Sequence, residues 1–136
     1  MNRLVKLLGQ AVGERAIVRC QPPIGLGDLS EPQPDLALLA PRDDFYEQEH
    51  PTAAASLLVL EVSDTTATYA RSTKMSLYAQ HGIQELWVVD NPRQQLHIFR
   101  SPSGPAFDET LTLHRPGILP IASLPGITVD LSSLFS

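Results

Sequence analysis

Three side chains have types and spacing suited to phosphoryl chemistry: Asp35, Glu61 and Lys74. Asp35 stands near the start of a short apolar run, PDLALLA at 34–40, and Glu61 near the end of another, LLVLEV at 57–62. If the two runs are antiparallel neighbours, the start of the first lies beside the end of the second. The carboxylates then meet at one edge of a sheet. Adjacent carboxylates repel, and burial raises the cost, so such a pair is best tolerated around a cation. Mg²⁺ takes hard oxygen ligands from one or two carboxylates and completes its shell with water and phosphate; Mn²⁺ accepts the same donors. Lys74 follows on a segment of helical period, where Ala70, Lys74, Leu77, Tyr78 and His81 share one stripe. A helix crossing over the sheet turns that stripe inward. Its ammonium can then orient a nucleophilic water or offset charge on a phosphorane-like transition state. The plainer alternative is that strand-end carboxylates are solvated and a helix lysine snorkels.

The elements that must position these groups are legible from pattern. Residues 2–12 place Leu4, Leu7, Leu8 and Val12 at helical spacing, with Gly13 as a stop. Residues 15–21, RAIVRCQ, alternate and are rich in branched side chains, which predicts a strand. Strands follow at 34–40 and 57–62, the second nearly continuous in apolar character, as in a strand covered on both faces. Between them, 41–56 reads as a long loop with at most one helical turn. The period turns helical over 67–80, with Thr65 or Thr66 as cap and Gly82 as stop. Strands are expected at 85–90 (ELWVVD) and 95–100 (QLHIFR), and weaker ones at 109–114 and 127–129. The tail DLSSLF suggests one helical turn packing Leu134 and Phe135 on the core. The order is α-β-β-β-α-β plus extra C-terminal strands: an α/β fold with a mixed β-sheet and flanking helices. The strands on either side of the 67–80 helix should be parallel.

Composition narrows the class. The chain has 136 residues, 43% hydrophobic and 18% charged, which suits one domain, 1–136, with a hydrophobic core. The net charge of −5 argues against coating nucleic acid by bulk charge. It leaves room for a nuclease, because a metal ion supplies local positive charge. No apolar run approaches the roughly 20 residues that span a bilayer, and the start lacks a secretory pattern, so a cytoplasmic home is expected and no membrane partner. Cys20, the single cysteine, reads as a small buried hydrophobe. The twelve prolines fall mostly between periodic segments and read as punctuation.

The ordered set PQPDLALL, HPT, LLVLEVSDTT, ARSTKMSLYAQHGIQELWVVD and LPGITVDLSSLF resembles the Uma2 family across nearly the whole chain. That family is similar to the PD-(D/E)xK, restriction-endonuclease-like superfamily, whose core agrees with the order above. By that resemblance Pro34-Asp35 stands for the "PD" and Glu61 for the "(D/E)". The lysine two residues further on is replaced by Ser63, and its role passes to Lys74 on the following helix. The resemblance also implies that the backbone carbonyl of Val62 is a metal ligand, that the cofactor is Mg²⁺ or Mn²⁺, and that DNA is the substrate. Uma2-like chains usually begin with a Tyr-Glu-Leu-Ile-Asp-Gly-Glu-like hairpin and an acid near the first helix. This chain starts inside that helix region, and Glu14 stands at the wrong end to replace the acid. The resemblance thus implies either a truncated start or a shortened, degenerate member.

Other residues carry less. His50, His81, His97 and His114 lack zinc-site spacing. Ser63 has no GxSxG-type elbow around it. Asp90 before Asn91-Pro92 reads as a turn residue, Tyr78 as core, with a place bordering the site as the alternative, and Trp87 and Phe99 as packing. The acidic loop 43–49 reads as solvated, with capping of the site or of a homodimer interface as the alternative. Groups able to contact DNA are chiefly Arg19, Arg42, Arg71 and Lys74, with Arg71 the phosphate contact one turn before Lys74. Two expectations result. One is a Mg²⁺-dependent endonuclease using Asp35, Glu61 and Lys74. The other is a catalytically silent interaction module of the same fold, which can form a homodimer.

Overall fold

The computed structural model of the chain describes residues 2–26, 32–64 and 73–135. The first helix, α1 (Asn2–Val12), buries Leu4, Leu8 and Val12 on one side. It ends at Gly13, whose φ of 54° suits glycine, and a single 3₁₀ turn follows. The strands β1 (Ile17–Cys20), β2 (Leu36–Leu39) and β3 (Ser56–Ser63) come next. Helix α2 (Thr73–Gln80) precedes β4 (Glu85–Asp90), and a hairpin of β5 (Gln95–Ser103) and β6 (Ala106–His114) follows. A small ribbon, β7 (Ile118–Pro120) and β8 (Thr128–Asp130), closes the chain.

The main sheet runs β1-β2-β3-β4-β5-β6 in sequence order. Among the described residues, only β3 and β4 of this sheet are parallel, and every other neighbouring pair is antiparallel. The α/β class, the mixed sheet and the parallel pair agree with the sequence expectation. Side chains alternate between the two faces of a strand. Leu58, Leu60, Trp87 and Val89 join α1, the β7–β8 ribbon and the tail in one core. Ala37, Val59, Leu86 and Val88 join Met75, Tyr78 and Ala79 of α2 in the other. The central strands are therefore covered on both faces, which is why LLVLEV and ELWVVD read as near-continuous apolar runs.

Several expectations need correction. The first three strands have shifted bounds, 17–20, 36–39 and 56–63, and the hairpin strands are longer, reaching Ser103 and beginning at Ala106. Residues 118–120, taken as punctuation because of their prolines, form β7 and pair with β8. Cys20 is exposed, since it ends a four-residue strand at the sheet's edge. His81 is exposed and lies just past α2, so it does not share the inward stripe. The tail forms a hydrogen-bonded turn, Leu134 N–H to Leu131 C=O at 3.0 Å, and Leu134 and Phe135 pack on the α1-side core as expected. Thr65, Thr66, Ala70 and Arg71 lie outside the described residues.

Candidate active site

The β2–β3 register sets Leu36 opposite Leu60 and Ala37 opposite Val59. Asp35 immediately precedes β2 and Glu61 follows Leu60 in β3, so the two acids adjoin the last pair of that register, close enough for the Asp35 charge to act on Glu61. Strand alternation puts Glu61, like Val59, on the face that carries α2. Glu61 is 4% exposed and Asp35 half-buried. The Val62 N–H donates to Asp35 Oδ2 at 2.6 Å. Asp35 is thereby fastened to β3 at the residue whose carbonyl the resemblance nominates as a ligand.

Lys74, in the first described turn of α2, reaches back to the same strand ends. Its Nζ lies 2.8 Å from Glu61 Oε2 and 3.1 Å from Oε1, and donates to the Gln33 carbonyl at 3.0 Å. One turn on, Tyr78 is fully buried, and its hydroxyl donates to Glu61 Oε2 at 3.4 Å. Tyr78 is therefore both a core residue and a neighbour of the acid. Helix α2 is held in this position by its ending. Ile83 N–H bonds Tyr78 C=O and Gly82 N–H bonds Ala79 C=O, at 3.0 and 3.1 Å, which is the Schellman pattern. Gly82 takes the left-handed φ of 79° that this ending requires. Ile83 is buried, and β4 begins two residues later.

Burial lifts the Glu61 carboxyl above its ordinary 4.5; Lys74 offsets part of this by hydrogen bond and charge, and the Asp35 carboxylate adds to the rise. The acid is thus less comfortable as an anion than its ion pair alone suggests. Its surroundings fit a hard divalent cation: two carboxylates side by side, backbone carbonyls close by, and oxygens already gathered about a positive centre.

The structure brings Asp35, Glu61, Val62 and Lys74 together. It does not bring Arg19 or Arg42 to them. Arg19 donates to the Phe45 carbonyl at 2.8 Å. Arg42 pairs with Asp44 at 2.8 Å and Glu49 at 3.4 Å and stacks on the Tyr46 ring. Both therefore hold the 42–49 loop. Asp90 serves its turn: Arg93 donates to it from backbone and side chain at 3.3 and 3.1 Å. Burial pushes its pKa up, but the bonds from Arg93 and His97 outweigh this, and the net direction is down. Among the described residues no group of three or more His, Cys, Asp or Glu could hold a metal, so any ion here relies on two carboxylates plus backbone and solvent oxygens. Sequence reasoning missed the Gln33 carbonyl, which no side-chain pattern could mark. It also missed Glu85, a fully buried acid whose signal was its place in an apolar run two residues before Trp87.

Residues 1–132 match the model of the Uma2 family, described as "Putative restriction endonuclease". The fold is similar to the crystal structure of a "putative nuclease belonging to DUF820" from Anabaena variabilis. The TM-score is 0.71 at 18% identity, over 98% of this chain and 76% of that one. No curated protein matches the chain. Among the described residues, no helix is long and apolar enough to cross a membrane.

Proposed function

Since the chain belongs to the Uma2 family, described as "Putative restriction endonuclease", we propose that it is a metal-dependent endonuclease hydrolysing DNA phosphodiester bonds. The observation that carries this reading is the juxtaposition, at the adjoining ends of β2 and β3, of Asp35, buried Glu61 and the Lys74 ammonium. Asp35, Glu61 and the Val62 carbonyl would hold Mg²⁺ or Mn²⁺. Such an ion, when bound, lowers the pKa of water and neutralises charge on the phosphate. The chain's own residues do the rest. Asp35, tied to the Val62 N–H, fixes the position of one carboxylate. Tyr78 and α2 hold Glu61 from the other side and exclude water from it. Lys74 has a half-exposed side chain on a flexible four-carbon stem, suited to orienting a water or meeting a phosphate oxygen. Arg71, three residues before Lys74 in the sequence, is the proposed phosphate contact.

The test is nicking of supercoiled plasmid with Mg²⁺ or Mn²⁺ by wild type and Glu61→Ala. We expect cleavage by wild type and a loss on the order of a thousandfold or more in the variant, with the far-ultraviolet circular dichroism unchanged. Equal cleavage by the two proteins rejects Glu61 as part of the site. The second reading, a catalytically silent interaction module or homodimer of the same fold, is favoured by the commitment of Arg19 and Arg42 to the 42–49 loop. Absence of cleavage by wild type on every DNA form tested supports it.

A further inference from the structure

We infer that Lys74 is the resident counter-cation of the carboxylate site, and that its ammonium must leave Glu61 before a divalent ion can bind there. The inference rests on the metal-binding reading above and says what that binding displaces. The Lys74 ammonium stands among three oxygens: both of Glu61, at 2.8 and 3.1 Å, and the Gln33 carbonyl at 3.0 Å. An ammonium has three protons to donate, and these contacts match that number. A divalent ion ligated by Glu61 would share one carboxylate with this charge. Two positive centres a few ångströms apart on one buried carboxylate repel. One of them must move.

Accessibility decides which. The Glu61 side chain is 6% exposed, while the Lys74 side chain is 36% exposed. Glu61 stands in β3, paired with β2 and β4 on either side, and the Tyr78 hydroxyl lies against it. Lys74 has a flexible four-carbon stem and open solvent beside it. The ammonium therefore swings outward, and the Gln33 carbonyl is left facing the incoming ion. The same event that loads the carboxylates frees Lys74 to meet a water or a phosphate. Ion binding and placement of the lysine become one step, so Lys74 governs metal affinity as well as any role in hydrolysis.

Two measurements test this, neither using nucleic acid. In the first, Mn²⁺ is titrated calorimetrically into wild type and Lys74→Met at mildly alkaline pH. Removing the competing charge should tighten binding about tenfold. Equal or weaker binding by the variant overturns the displacement and leaves the metal site standing. No binding by either protein overturns both. The second measurement uses the unaltered chain, so it does not depend on the variant folding. The protein has two lysines, Lys6 and Lys74, and Lys6 is exposed. With ε-¹³C-lysine labelling, Mg²⁺ should move the Lys74 resonance toward that of Lys6 and leave Lys6 unchanged. A Lys74 resonance that stays in place at a Mg²⁺ concentration that saturates the site overturns the inference.

Discussion

Glu61 and Glu85 are both buried acids on the one parallel pair of the sheet, and they are supported very differently. Glu85 opens β4 and faces the α1 side, where it is completely satisfied. Its Oε2 accepts from Arg100 Nε at 2.8 Å and Trp87 Nε1 at 3.0 Å, and its Oε1 accepts from the Ala122 N–H at 3.0 Å. These donors come from β4, β5 and the segment after β7, so one carboxylate ties the C-terminal ribbon to the sheet. Glu61 lies near the end of β3 on the α2 side. It stands beside a second carboxylate, and its main partner is a half-exposed lysine. Rigid donors on packed elements make a buried acid a structural tie. A half-exposed cation on a flexible stem and an adjoining acid leave one that is costlier to keep. The difference is therefore in the donors, since burial and residue type are the same.

Removing each acid should separate the two roles. The largest effect is expected on cleavage, from Glu61→Ala as given above, while Glu85→Ala leaves the Asp35, Glu61 and Lys74 cluster intact. Next in size is stability. Glu85→Ala leaves the mostly buried Arg100 guanidinium a long 3.9 Å contact to Glu109 in place of its 2.8 Å bond, and removes the acceptor for Trp87 and Ala122. A loss of about 3–5 kcal/mol is expected by urea denaturation. Loss of under about 1 kcal/mol would mean that Glu85 is not the tie described.

A smaller effect concerns pH. Glu61 has a pKa raised above its ordinary 4.5, so the folded state favours its proton. Stability from this group is fully present below 4.5 and is lost as pH rises through the raised value. Glu61→Gln lacks this titration. In EDTA, its stability relative to wild type should improve as pH rises across that window and level off above it. A constant difference across the window contradicts the raised pKa. Asp90 has the opposite sign: its lowered pKa gives stability above 3.8 that is lost as pH falls through the folded value. Asp90→Asn should therefore cost most at neutral pH and least in strong acid. The smallest effect is that of Tyr78→Phe. It removes a long hydrogen bond of 3.4 Å and keeps the ring, so a stability change of about 1 kcal/mol or less is expected. A several-fold change in Mn²⁺ affinity in that variant would mark Tyr78 as part of the site's electrostatics.

The framework was legible where physics leaves a strong local pattern. ELWVVD has the bounds of β4 as read, since a strand covered on both faces has no polar interruption until it ends. The antiparallel pairing of the runs at 34–40 and 57–62 was an assumption; the two strands do pair antiparallel, and Asp35 lies close enough to bond the Val62 N–H and act on Glu61. Lys74 follows from helical period. What pattern could not give is position within the sheet. Cys20 alternates like a core residue, and only the edge placement of β1 exposes it. The residues of β7 sit among prolines and owe their strand character to pairing with β8. Glu85 was lost inside an apolar run, because its donors come from Arg100 and Ala122, which are distant in sequence.

The most direct test of the central claim is calorimetric titration of Mn²⁺ into wild type and Glu61→Ala, without any substrate. The account predicts saturable binding by wild type that is lost in the variant, with both proteins folded. Binding of equal strength in the two would contradict a metal centre at Glu61, and no binding by wild type would contradict the metal-dependent reading altogether.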